Sequence, residues 1–183
     1  EELGISPSER LMEQFDQMSS QLKHVKPKEI QEIKQRLKED KGQGGAYYCS
    51  LPSFRDSYRL VTRMLERSGQ SAYLMLCSLT DGKGHPLEKP EKLELLSEEL
   101  QNTIQHCLRK GDSFTKYSPS QYLVLLIGTN KENCGLIFDR IRKYFAREHR
   151  SWNKYVEFYV SSVAEVDNLD NPIQFRNDDS GWK

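Results

Sequence analysis

No long hydrophobic run occurs in this chain. The longest strongly apolar stretch, Tyr122 to Ile127, is far too short to cross a bilayer, and no signal-peptide pattern opens the sequence. Nor is there a surplus of charge: Lys and Arg number 27, and Asp and Glu number 27. A protein built mainly to coat nucleic acid would carry a basic excess, so composition argues against that class. Cysteine is sparse. Cys49, Cys77, Cys107 and Cys134 show no metal-ligand spacing, and Cys77 and Cys107 fall within apolar patterns. All four read as small buried hydrophobes in a reducing cytoplasm. His24, His85, His106 and His149 are scattered, which leaves no ligand cluster for structural zinc. The first residue is Glu1 and not Met, so we expect a further part upstream.

What the 183 residues do contain is enough for one compact domain plus an extension. Charged residues make up 30% and mean hydropathy is −0.77, which predicts a well-solvated surface. Nine Tyr, seven Phe and two Trp supply material for a core and exclude a wholly disordered chain. Residues 1–43 stand apart, with 8 basic and 9 acidic residues and neither Cys nor Tyr. Ser6-Pro7-Ser8-Glu9 has the form of a capping box with Pro at the first helical position. Leu11, Phe15, Met18 and Leu22 then recur at helical spacing. Pro27 interrupts, and Ile30, Ile33 and Leu37 mark a second amphipathic helix. Gly42-Gln43-Gly44-Gly45 reads as a flexible hinge. Such helices need a surface to bury against: the main domain, a second copy of the chain, or a missing upstream domain.

The remainder alternates strands and helices. Ala46 to Leu51 is a short strand candidate. Phe54, Tyr58, Val61 and Leu65 mark one helix face, ended by Gly69. Ala72 to Leu79 is nearly continuous in apolar residues and predicts a central strand covered on both faces. A turn follows at Asp81-Gly82-Lys83-Gly84. Leu93, Leu96, Leu100, Ile104 and Cys107 define a long helix that Gly111 stops. Ser113–Tyr117 and Gln121–Ile127 form a hairpin around Ser118-Pro119-Ser120. Ile137, Ile141 and Tyr144 mark another helix, and Tyr155 to Val163 alternates as a last strand. From residue 72 the order is strand, helix, strand, strand, helix, strand. That is the ferredoxin-like, or split βαβ, arrangement: an α+β fold with an antiparallel sheet, preceded here by the N-terminal helical extension. The expected organisation is a helical connector at 1–43, the main domain at 44–164, and an irregular tail at 165–183.

The stretch from Gly111 to Leu126 resembles the signature hairpin of the GGDEF, or diguanylate cyclase, family, and the likeness in element order extends over about residues 46–163. It implies a nucleotidyl-cyclase-like fold. The family's turn reads Gly-Gly-Asp/Glu-Glu-Phe, and Ser118-Pro119-Ser120-Gln121-Tyr122 stands in its place. Only the final aromatic is kept in kind. The family also sets a metal-binding Asp at the end of its first core strand, where Ser78 stands here. Cyclising GTP requires carboxylates that hold divalent metal against the triphosphate. Hydroxyl and amide groups are poor substitutes, and Ser118 and Pro119 lack the backbone freedom of glycines. We therefore expect no enzyme activity, no metal and no cofactor. Asp81 lies near the right place but belongs to a turn.

One family feature is kept. Arg109-Lys110-Gly111-Asp112 stands five residues ahead of the signature, at the spacing of an inhibitory Arg-x-x-Asp site. An Arg clasps phosphate or a guanine edge and an Asp accepts from guanine N–H groups, so a cyclic di-GMP receptor is the alternative reading. The same residues also suit the end of a helix, with Gly111 as C-cap. A second resemblance, in Glu2 to Ser8 and the helix after it, is to the end of the bacterial transcriptional activator domain, a TPR-like unit of SARP-type regulators. It implies a cytoplasmic transcription regulator in which an upstream domain reads DNA and this chain contacts no DNA sequence itself. The main domain would then serve signal reception or dimerisation. Finally, Arg55, Arg59, Arg63 and Arg67 recur every four residues and form a basic stripe along one helix. It could meet phosphate or an acidic partner, although Asp56 and Glu66 dilute it. Residues 44–164 hold 17 basic and 13 acidic residues, too small an excess to demand nucleic acid.

Overall fold

The computed structural model describes residues 30–38, 44–164 and 173–175. The chain divides into two units, 1–43 and 44–183. In the first unit, helix α1 spans Ile30–Arg36, with Glu32 in its first turn and Lys34 and Arg36 in its last, the charge order its dipole favours. Ile30, Ile33 and Leu37 are exposed. The earlier helix expected after Ser6, and the Glu2–Ser8 resemblance, lie outside the described residues.

The second unit holds β1 (Tyr47–Tyr48), α2 (Leu51–Ser68), β2 (Ala72–Leu79), α3 (Pro90–Cys107), β3 (Ser113–Ser118), β4 (Gln121–Ile127), α4 (Lys131–Phe145), a 3-10 turn (Arg150–Tyr155), β5 (Val156–Ser162) and β6 (Ile173–Phe175). The strands form one sheet in the order β1-β3-β4-β2-β5-β6. Its middle four, β3-β4-β2-β5, pair antiparallel throughout, which is the split βαβ arrangement. The fold is α+β.

The structure corrects the sequence reading at several edges. The sheet is mixed, because β1 runs parallel to β3. That first strand is only two residues long, because Ser50 caps α2 and turns Leu51 into its first residue. Helix α3 ends at Cys107, so Gly111 is not its C-cap. Leu108 closes the helix, donating its N–H to the Ile104 carbonyl. Within the tail expected to be irregular, β6 pairs antiparallel with β5.

Side chains of β2 alternate between two faces. Met75, Cys77 and Leu79 join Phe114, Tyr122, Val124 and Phe158 beneath α3 and α4, which contribute Leu96, Leu100, Ile104, Phe138 and Ile141. Tyr122, the one aromatic kept from the signature, is fully buried there, and its hydroxyl meets the Ser97 hydroxyl at 2.9 Å. On the other face Ala72, Leu125 and Val163 pack with Phe54, Val61 and Leu65 of α2. That single helix covers one end of the face only, and the half running to Ser78 is left as a groove. The expectation of a strand covered on both faces therefore holds for half of β2.

The chain enters this unit close against α3. Gly45 has φ +82°, and a Cβ there would collide with the Gln105 carbonyl oxygen. Ala46 donates its N–H to that same oxygen at 3.2 Å, Tyr47 to the Asp112 carbonyl at 2.9 Å, and Cys49 to the Phe114 carbonyl at 3.0 Å. Gly45, read as part of a hinge, is thus a position of close backbone approach.

Candidate functional site

The open half of the sheet forms a groove of about 500 Å3. Its floor is Leu74, Leu76 and Leu123, and its rim carries Ser78, Ser120, Gln121 and Glu157. Strand pairing creates this rim. Ser78 stands opposite Gln121 on one side and Glu157 on the other, so the three form a row across β4, β2 and β5. The Gln121 amide donates to the Ser78 hydroxyl at 3.0 Å and accepts from the Ser118 hydroxyl at 3.2 Å. Of the three positions where the resemblance implies metal carboxylates, Ser78, Ser120 and Gln121, the first and last are therefore joined to each other through a neutral hydrogen bond. Glu157, which spacing along the chain did not single out, is buried, and Tyr159 donates its hydroxyl to it at 3.2 Å. Its only signal in the sequence is the alternation of β5, which puts Glu157, Tyr159 and Ser161 on the face away from Val156, Phe158 and Val160.

The resemblance implies a divalent metal here, and the donor set does not match it. Glu157 is the one carboxylate lining the groove. Asp81 spends its oxygens on its own turn: Oδ1 accepts from the Lys83 and His85 N–H groups at 2.7 and 3.2 Å, and Oδ2 lies 3.4 Å from the His85 ring. Those contacts hold its pKa below the usual carboxylate value. Among the described residues no three His, Cys, Asp or Glu gather as a metal would need. We place no metal in the groove.

The Arg109–Asp112 segment is a tight turn beyond the end of α3. Asp112 is buried, and each carboxylate oxygen is engaged. Oδ2 accepts from the Arg109 N–H at 3.1 Å and Oδ1 from the Ile127 N–H at 3.2 Å. Asp112 also donates its own N–H to the Arg109 carbonyl at 3.0 Å. The residue thus ties the turn to the end of β4 and, through its carbonyl, to β1. Burial raises its pKa; the two N–H groups and the charges of Arg109 and Arg140 pull the other way. The Arg109 side chain is exposed. Arg140, on α4, is near enough to act on the same carboxylate and was not singled out in the sequence, because only the packing of α3 on α4 brings it there.

The arginine stripe runs along the exposed side of α2, opposite Phe54, Val61 and Leu65. Arg59 lies 3.8 Å from Asp56, a pair too exposed to count for much. Leu60 and Met64 are exposed on the same helix. The stripe and the Arg109 turn are not brought into one site by any contact among the described residues.

Comparison with known proteins gives the class of fold. No family model matches the sequence, and no curated protein matches it. Solved structures do. The GGDEF domain of DgcB from Caulobacter crescentus, in complex with c-di-GMP, is 11% identical and superposes with a TM-score of 0.51, covering 68% of this chain and 80% of that one. A DGC protein from Thermotoga maritima is 16% identical, with a TM-score of 0.49 over 66% of this chain and 82% of its own. Diguanylate cyclase SiaD from Pseudomonas aeruginosa, in complex with its activator SiaC, is 17% identical, with a TM-score of 0.49 over 84% of this chain and 60% of its own. The fold is that of GGDEF domains, the nucleotidyl-cyclase-like class. This corrects the expectation that the chain is not an enzyme: its fold is shared with the GGDEF domain of DgcB, and that fold gives no ground for excluding enzyme activity. Among the described residues no helix is long and apolar enough to cross a membrane.

Proposed function

We propose that the unit beginning at residue 44 is a cyclic di-GMP-related signal-receiving domain of a bacterial transcription regulator, working in the cytoplasm. Its ligand meets the turn at Arg109. One observation carries this reading: an exposed arginine, Arg109, stands in a turn that a buried, doubly hydrogen-bonded Asp112 holds fixed. Arg109 and Arg140 both act on the Asp112 carboxylate, and an arginine grips phosphates and guanine edges with planar, paired donors. In this arrangement Asp112 acts as a positioning residue, since both its oxygens already hold backbone N–H groups. Likeness to a domain solved with c-di-GMP supports the ligand class. Residues 1–43 then connect to an upstream DNA-binding part, which makes the sequence-specific contacts. A second copy of the chain is a further partner, and the α2 stripe of Arg55, Arg59, Arg63 and Arg67 is the surface we assign to protein contact.

Calorimetric titration of the chain with cyclic di-GMP tests the reading. Micromolar binding that is lost in Arg109→Ala and weakened in Arg140→Ala is expected. Absence of heat at high ligand concentration would overturn it.

A further inference from the structure

We propose that the cleft between the last turns of α4 and the 3-10 turn after it is a second anion site, built for a pyrophosphate or longer phosphate chain. It encloses about 550 Å3 and is lined by Asp139, Arg142, Lys143, Arg147, Arg150 and Asn153. It shares no residue with Arg109, Asp112 or Arg140.

Four cations face one carboxylate in this lining. The helix dipole accounts for two of them, because Arg142 and Lys143 stand in the last turn of α4. It does not account for Arg147 and Arg150, which lie past the helix end at Phe145. Arg147 is partly offset by Glu148 at 3.2 Å, whereas Lys143 and Arg150 make no ion pair among the described residues. Arg142 is the sharper signal. Its guanidinium lies over the Phe138 ring, 4.0 Å from the centroid, and Phe138 is itself wedged edge-on against Phe158. Its Nε and Nη2 are buried and find no acceptor among the described residues. Buried donors left unmade are costly. Burial pulls the Arg142 pKa below its ordinary value, and Asp139 only partly restores it. A half-buried guanidinium held against an aromatic ring, with two of its nitrogens lacking an acceptor, is a cation whose charge nothing in its surroundings fully balances, and it suits an oxyanion in the cleft. The lining carries a net charge of about three, close to that of a pyrophosphate and well above what a lone monophosphate would balance.

The test is a titration of the full chain with sodium tripolyphosphate and with pyrophosphate, at about physiological ionic strength, where surface attraction is screened. One saturable site is expected. Arg150→Ala and Lys143→Ala, both of exposed residues, should each weaken it about tenfold, the loss of one charge-assisted hydrogen bond. Arg109→Ala should leave it unchanged, which separates this site from the cyclic di-GMP reading. No saturable heat at millimolar polyphosphate would overturn the proposal, as would an affinity unchanged from the parent chain in both alanine variants. Tighter binding of a random oligonucleotide than of tripolyphosphate would overturn it in favour of a macromolecular surface.

Discussion

At the scale of single residues, Asp112 illustrates how a candidate ligand group is also a structural one. Its carboxylate is buried, so folding disfavours the charged form, and its pKa lies above the unfolded value. The folded state then holds more protons between the two pKa values. This group's contribution to stability is greatest below the unfolded pKa and falls as pH rises through the folded one. Asp112→Asn should abolish that slope. It should also cost about 1–3 kcal/mol at neutral pH, because an amide supplies one acceptor where two N–H groups need one each. Urea unfolding of both proteins from the ordinary carboxylate range up to neutrality reads both effects as the difference between the curves. A constant difference across pH would refute the titration argument. Glu157 makes a complementary point. Nothing in its sequence neighbours marks it, because it gains its place beside Ser78 from a register between strands far apart in the chain. Period-two alternation tells which face a residue takes and is silent on what lies across from it.

At the scale of elements, helices were the most legible part. The spacing of Phe54, Tyr58, Val61 and Leu65 gives the buried stripe of α2 directly, and Gly69 ends it in the left-handed conformation as its position suggests. The end of α3 was misread because Gly111 looked like the natural stop, while Asp112 competes for the backbone and closes the chain into a turn after Leu108. Strand β1 was overestimated because Ser50 and Pro52 start a helix within the stretch of apolar residues. Since α2 is the only cover on its face among the described helices, its anchor should matter greatly. Phe54→Ala should destabilise the unit by about 3–5 kcal/mol and expose Leu125 and Val163. Thermal unfolding and dye binding check this. A loss below about 1 kcal/mol would mean that α2 is not held by this contact.

At the scale of the whole molecule, the element order from residue 72 onward was enough to give the sheet topology, because split βαβ connections leave few alternatives. What periodicity could not give was the extent of cover. One helix lies on a face wide enough for more, and the polar row of Gln121, Ser78 and Glu157 lies in the uncovered part. Both hydrophobic cores belong to the second unit. A chain of residues 44–183 should therefore fold alone, with a single cooperative transition whose midpoint lies within about 5 °C of the full chain. Circular dichroism melting of the two proteins decides this. A broad transition in the shorter chain would show that residues 1–43 are needed for its packing.

The way the chain enters at Gly45 has a mechanical consequence. Tension on the segment ahead of residue 44 is borne first by the backbone hydrogen bonds from Ala46, Tyr47 and Cys49, at the edge of the cores to which Ala46 and Cys49 belong. The middle one of these ends on Asp112, the residue that fixes the Arg109 turn. A pull transmitted along the chain and a molecule gripping that turn therefore load the same short seam, the edge where β1 pairs with β3.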